Sequence, residues 1–421
     1  MSIAGIANGG TGRASGGDTM RRYGASVLGP AAVSAAHFLV SLILLHAMPA
    51  GEFGLFSFVL VVAGFGISVN VALISVPLAR GLATGDHAIL PACFQMNWLV
   101  CGAIALLSFG ALLGSGAQLR DAVLLALFAG AFTYRWFARC FAYVENRVAA
   151  VVQSDLIYAL TLAGSLAARA AIQDISFTLG AEMLLLSALA ALPPFGLGFF
   201  RRQVAALTRH PKHYGPVFRD ITRWSLAGVV TTELTANAHV YLVTLIAGPT
   251  AFAPLALGML LLRPTGLMQS ALPDLERPRM AHAVAAGDAA ALTRIQGHFS
   301  LGLLTVWAAN VLLCAGALLF LPDLMTKKGY HIKAIIPVMT LCALIVAVRG
   351  LRTPQAVLLQ AAGAFKSLAG ICAASATISL AATLGLLLAF GATASLGGIL
   401  LGELAILLPC YFMARREMRH G

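Results

Sequence analysis

The sequence predicts an all-α polytopic membrane protein, with about twelve transmembrane helices in two six-helix lobes and both termini cytoplasmic. Three observations carry that expectation. Of the 421 residues, 59% are hydrophobic and only 10% charged, with a mean hydropathy of +0.88, whereas a soluble domain carries about 25% charge. The apolar residues come in blocks of about 20, each long enough to cross a hydrocarbon core of roughly 30 Å. The positive charges fall almost entirely on one side of the resulting helix order.

Residues 1–22 are rich in Gly, Ser, Ala and Asn and read as a flexible cytoplasmic tail ending in Arg21 and Arg22. The apolar block after them has no A-x-A cleavage site and is long, so it reads as an uncleaved first membrane helix. Cutting at charge and Gly/Pro clusters gives spans at 25–46, 54–77, 89–113, 121–145, 148–170, 178–200, 222–247, 252–273, 299–321, 334–360, 366–390 and 394–414. The tenth is interrupted by Arg349 and Arg352. The expected domains are an N-terminal lobe at 23–200, a cytoplasmic linker at 201–221, a C-terminal lobe at 222–414 and a cytoplasmic tail at 415–421.

With the N-terminus inside, 22 of the 28 Lys and Arg fall on the cytoplasmic side, in the tails, even-numbered loops and adjoining helix ends. Five fall outside: Arg120, Arg169, Lys327, Lys328 and Lys333. Arg263 alone stays in the membrane. The net charge of +12 is therefore mainly a topology signal, and no nucleic-acid-binding motif accompanies it. The outer loops are short, the longest at roughly 322–333. Of the larger inner loops, 201–221 mixes basic and acidic residues, and 274–298 reads as a short amphipathic helix at the membrane surface.

The chain carries a faint repeat. At an offset of 200, Pro49/Pro249, Leu55/Leu255, Leu60/Leu260 and Gly66/Gly266 match, and ATGD at 83–86 aligns nearby with AAGD at 285–288. The offset maps spans 1–2 onto spans 7–8 with the same polarity. Two parallel six-helix halves with a central substrate site are a common transporter plan.

The seven cysteines all lie within or at the edge of apolar blocks, and none forms a C-x-x-C pair. They suggest no metal site and no disulfide framework. No cofactor is expected, and the absence of G-x-x-x-x-G-K-[ST] argues against ATP hydrolysis by this chain.

The informative residues are polar ones at membrane depth. At 1.5 Å per residue, Glu233 on span 7 and Arg263 on span 8 both lie about 16 Å in. The expectation is that they pair, which lowers the cost of burying each. Asn237 and His239 follow within two turns of Glu233, and His37 and Glu403 lie at similar depth. Arg135 and Arg139 sit nearer the cytoplasm, level with Asp155, and Arg349 and Arg352 lie in the inner third of span 10.

The plain reading of such groups is structural ion pairs, hydrogen-bonded histidines and snorkelling side chains. It suits Arg135, Arg139 and Arg349 near helix ends better than Arg263 at the midplane, which cannot snorkel out. The functional reading makes Arg263, Glu233, Asn237, His239, His37, Arg135, Arg139 and Arg349 the lining of a cationic cavity between the lobes. Such a cavity suits a phosphate-bearing or acidic-sugar substrate, because arginine matches oxyanions bidentately. Pro264 removes a backbone donor and can kink the helix beside Arg263.

Two stretches then resemble a known family. HAMPAGEFGLFSFVLVVAGFG at 46–66 is similar to the link between the first two helices of oligosaccharide flippases, where a P-x-E-[FY]-G turn opens helix 2. LIAGPTAFAPLALGMLLLRPTGLMQSALPDLERPRMAHAVAAGD at 245–288 resembles their helix 7–8 region. The family is that of the Wzx-type polysaccharide flippases of the MOP (MATE-like) superfamily. The resemblance implies translocation of an undecaprenyl-pyrophosphate-linked oligosaccharide across a bacterial inner membrane, by alternating access, for exo- or capsular polysaccharide or O-antigen synthesis. It implies a lipid-linked glycan and membrane lipids as partners, with a polysaccharide polymerase and export machinery beside them, and no enzymatic activity. Among cavity cations of these flippases, Arg263 fits the one on helix 8. Here helix 1 carries His37 and no mid-depth arginine, and the extra helix pair of lipid II flippases is missing, which points away from that substrate.

Rival readings are a MATE-type drug/cation antiporter, which wants cavity carboxylates such as Glu233 and Asp155, and a membrane-embedded polysaccharide polymerase or glycosyltransferase. The short, acid-poor outer loops and the absence of D-x-D or G-x-S-x-G count against the enzyme. A major facilitator porter wants a basic loop motif after span 2, which RGLATGDHA lacks.

Overall fold

The computed structural model describes residues 16–75, 77–78, 89–145, 147–170, 176–207, 214–320 and 332–420, with side chains omitted at some helical positions, including 16–28. The described residues are almost entirely helical and contain no strand. The N-terminal lobe comprises α1 (Gly16–Ala47), α2 (Ala50–Asn70), α3 (Ile89–Gly114), α4 (Leu119–Val144), α5 (Val148–Ala170), α6 (Phe177–Ala190) and α7 (Leu197–Leu207). The C-terminal lobe comprises α8 (Arg223–Leu242), α9 (Pro249–Leu261), α10 (Arg263–Ala285), α11 (Ala289–Phe320), α12 (Ile332–Ala361), α13 (Phe365–Phe390) and α14 (Ala392–His420). Among the described residues, ten helical segments are long and apolar enough to cross a membrane, and the bent α9–α10 pair makes an eleventh if taken as one span. In α1 the apolar stretch Ala32–Ala47 is shorter.

Several predicted boundaries move, each for a local reason. The sixth span, expected to run to residue 200, stops at Ala190 because Pro193 and Pro194 cannot continue the amide ladder. The chain restarts as α7, so part of the expected linker is helix. Its carbonyls at Gln203 and Ala206 accept hydrogen bonds from Trp98 Nε1 (3.3 Å) and Gln95 Nε2 (2.6 Å) of α3. Its Phe199 enters an aromatic cluster with Phe94, Phe137 and Phe141. The amphipathic segment expected at 274–298 is not a separate surface helix. α10 runs through to Ala285, a turn with Gly287 at φ 63° reverses the chain, and α11 starts at Ala289, so the two form a helical hairpin. Arg349 and Arg352 do not interrupt α12, since arginine is a good helix former. The basic tail at 415–420 continues α14. Residues 16–22, expected in the flexible tail, already belong to α1. The tail at 1–15, the repeat segment at 83–86 and most of the outer loop at 322–333 lie outside the described residues.

Between the lobes, the chain after α7 makes one helical turn, Tyr214–Val217. Tyr214 Oη donates to the Leu73 carbonyl at 2.5 Å. That carbonyl lies in the π-helical turn Val71–Ser75 ending α2, where the ladder changes register. Burial pushes the Tyr214 hydroxyl up to about 12.

The lobes meet mainly where α2 packs on α9, with α1 and α8 beside them. Pro49 and Pro249 open these helices, as the offset of 200 anticipated, and the two starts cross closely. A Cβ added at Gly54 would strike the Pro249 carbonyl, and one at Gly51 would come within 2.9 Å of Thr250 Oγ1. Phe53 and Phe252, both fully buried, fill the crossing. The lobes are therefore sealed together at this end.

Candidate functional site

Just beyond that seal, α1, α2 and α9 enclose a cavity of about 260 Å³. Ser41, Ser57, Phe53, Phe252 and Met259 contribute to its wall, and Arg263 is the one charged residue lining it among the described residues. Arg263 is half-buried and has no ion-pair partner among the described residues. Its charge reaches Tyr158 and His37 of the opposite lobe.

The local backbone explains its position. Helix 8 of the predicted order is broken: α9 ends at Leu261, Leu262 takes φ −93° and ψ 2°, and α10 departs at 57°. Pro264 has no N–H to return to the Leu260 carbonyl, which is what a bend at this point requires. Non-helical backbone at membrane depth is tolerated where it lines a cavity, and here it does. Arg263 is the first residue of α10, so the positive end of a helix dipole adds to the guanidinium. Both favour an anion in the cavity.

The expected Glu233–Arg263 pair does not form. Glu233 Oε1 accepts from the Tyr241 hydroxyl and from Asn237 Nδ2 at 3.0 Å. These partners lie one and two turns further along α8, so the carboxylate is satisfied locally. Glu233 instead borders a separate cavity of about 310 Å³, lined also by Ser68 of α2 and by Ser225 and Thr232 of α8. The bend at Leu262 starts a new helix direction at Arg263, and equal depth along two spans did not translate into contact.

In the N-terminal lobe, Arg135 and Arg139 converge on Asp155. Arg135 donates to Asp155 Oδ1, and Arg139 to Oδ2 at 2.9 Å. Arg135 Nε donates to Ser154 Oγ (3.0 Å), and its guanidinium lies 4.7 Å from the Tyr158 ring centre. Arg139 stacks on Trp136 at 4.4 Å. All three charged side chains are at most 5% exposed. His37, also buried, is hydrogen-bonded through Nε2 to Tyr158 Oη at 2.9 Å. Arg135, Arg139 and His37 thus belong to a sealed network behind the cavity, and only Tyr158 and His37 approach Arg263.

The C-terminal lobe carries the same motif on α12, the sixth span after α4. Arg349 Nε and Nη2 meet Glu403 Oε1 at 2.8 and 2.7 Å, and Arg352 Nε lies 2.9 Å from Oε2. His239 is buried on α8, with Nε2 donating to Met259 Sδ at 3.2 Å. A thioether only accepts, so that nitrogen carries the proton.

Sequence reasoning missed Tyr158, Tyr241 and the cavity phenylalanines. Tyr158 follows Asp155 by three residues and so shares its helix face, a readable signal. Nothing in the sequence shows that Phe53 and Phe252 line one cavity. Among the described residues no group of three His, Cys, Asp or Glu is placed to hold a metal.

Two bundles of membrane helices meeting around a cavity form a fold similar to that of solved MOP superfamily transporters. The lipid II flippase MurJ in an inward closed conformation superposes with a TM-score of 0.66 at 11% identity, over 93% of this chain and 89% of that one. A multidrug resistance MATE family transporter of the MOP superfamily in an inward-facing conformation gives 0.63 at 12%, over 92% and 95%. An outward-facing structure of a transporter so described gives 0.56 at 11%, over 95% and 96%. No protein-family model matches the sequence. No curated protein matches it significantly.

Proposed function

We propose that this chain translocates a lipid-linked oligosaccharide, carried on undecaprenyl pyrophosphate, across a bacterial inner membrane by alternating access. The observation that carries this reading is Arg263, a cation without a counter-ion among the described residues, at a broken helix, in a cavity between the lobes. An uncompensated charge at membrane depth costs about 2.5–3.5 kcal/mol on insertion scales. An anionic substrate offsets that cost when bound, and a pyrophosphate offers several oxygens to the guanidinium. The apolar walls formed by Phe53, Phe252 and Met259 suit a lipid stem or a sugar face.

Charge bias places the starts of α2 and α9 outside. The seal at Gly54 and Pro249 then closes the outer end, in keeping with the higher TM-score to the inward-facing than to the outward-facing MATE structure. The bound headgroup would enter from the cytoplasm, and release would require the α2–α9 crossing to open. Export of an organic cation is favoured by one observation only, the carboxylate of Glu233 in the second cavity. Its two neutral hydrogen-bond donors leave it available to a cation.

The deciding experiment is leaflet accessibility of lipid-linked glycans in cells depleted of the protein, read with a lectin or a periplasm-restricted glycosidase. Accumulation of the lipid-linked unit on the cytoplasmic face is expected, with rescue by the wild type and none by R263A. Normal outer-leaflet exposure in depleted cells would overturn the reading.

A further inference from the structure

The two arginine–carboxylate triads differ in one respect. The Asp155 triad is embedded in a single continuous apolar core, with Ala138, Val151, Tyr158 and Ala159 packed around it. The Glu403 triad interrupts the core of its lobe. On α12 the main core ends at Ile345 and a second cluster begins at Val357. On α14 it ends near Leu400 and the second cluster begins at Ile406. Arg349, Arg352 and Glu403 occupy the gap between them.

This gap is open at the surface of the lobe. The Arg349 and Arg352 side chains are 30% and 22% exposed, against 2% and 5% for Arg135 and Arg139, while Glu403 is 1% exposed. Glu403 engages Nε of both arginines and Nη2 of Arg349. Among the described residues, Nη1 of Arg349 and both terminal nitrogens of Arg352 have no protein partner. Two guanidinium groups one turn apart therefore carry one excess positive charge and present convergent donors beside a buried carboxylate that holds them in place. Arginine forks held this way match the oxygens of a phosphate group.

We infer that Arg349, Arg352 and Glu403 form a second oxyanion site, which takes a phosphate-bearing headgroup on the inner face of the C-terminal lobe, apart from Arg263. Arg349 and Arg352 bind, and Glu403 is a positioning residue. The identity of the headgroup as the transported one rests on the reading above; the site itself does not. The same chemistry is offered by an anionic phospholipid of the surrounding leaflet, and the test separates these sources.

The test uses the full chain in nanodiscs of phosphatidylcholine alone, titrated with inorganic pyrophosphate by calorimetry, followed by native mass spectrometry of protein released from phosphatidylglycerol-containing membranes. Wild type is expected to bind two anions. R352Q, whose Glu403 keeps Arg349, should lose one with at least a tenfold drop in affinity, and R352K should bind at intermediate strength because it keeps charge without the fork. R263Q should lose the other. Two undiminished sites in both R352Q and R352K would overturn the inference. If R352Q fails to fold, undiminished binding by R352K alone overturns it. Two undiminished sites in R263Q would instead count against the central-cavity reading and leave the triad standing. Retention of phosphatidylglycerol by wild type and not by R352Q, with pyrophosphate unable to displace it, would make the site a lipid site; displacement would assign it to the transported headgroup.

Discussion

Glu233 and Arg263 come from consecutive spans at matched depth, yet each finds different company: the carboxylate is bound by Tyr241 and Asn237 of its own helix, and the guanidinium faces the cavity shared with the other lobe. The two sites are therefore energetically separate. E233Q and R263A should shift stability additively, within about 0.5 kcal/mol, as expected for residues sharing no partner. Thermal unfolding of both single variants and the double in detergent checks this. A coupling above 1 kcal/mol would mean that the charges do meet.

Asp155 holds two buried arginines, so its loss leaves uncompensated charge in an apolar core. D155A should cost about 3–5 kcal/mol and depress expression. Replacing Asp155, Arg135 and Arg139 together by apolar residues of similar volume should recover most of that loss, because burying such a triad is itself expensive. Thermal midpoints of the two variants give the comparison; equal destabilisation would argue that these cations do more than pair.

Pro264 sets the 57° bend at the cavity. P264A restores an amide donor toward the Leu260 carbonyl, so that α9 and α10 can run on as one helix. The variant should be more stable and transport-defective, because a straighter helix carries Arg263 out of its cavity position. Spin labels at T250C and R279C, in a background without the natural cysteines, should move apart.

The close crossing at Gly54 leaves no room for a side chain against Pro249. G54V should wedge the lobes apart at this end and bias the population toward the opposite-facing state. Labelling of S57C, whose position lines the cavity beside the crossing, should accelerate in G54V. Unchanged labelling would show that the seal lies elsewhere.

How much of this was legible beforehand varies with the range of the interaction involved. The helical class follows from composition and block length, and the repeat at an offset of 200 matched Pro49 with Pro249, the residues that open α2 and α9. Breaks at Pro193–Pro194 and Pro264 were signalled locally, although only the second was anticipated. The alliance of Arg135 and Arg139 with Asp155 was foreshadowed by shared depth, and the same criterion failed for Glu233 and Arg263. Depth fixes one coordinate, whereas contact also requires helix rotation and neighbour order, which depend on how side chains of all the spans pack.

The sequence by itself determined what each residue pays to the membrane environment: which segments are helical, where proline breaks them, and which charges sit too deep to snorkel. Those are properties of a residue and its near neighbours along the chain. The tertiary structure decided which buried charges are neutralised. Asp155 seals one arginine pair inside a continuous core, Glu403 holds another at a gap between two cores, and Arg263 is left facing the cavity with no counter-ion among the described residues. Neutralisation depends on contacts between helices distant in sequence, and only the packed arrangement of the two lobes sets them.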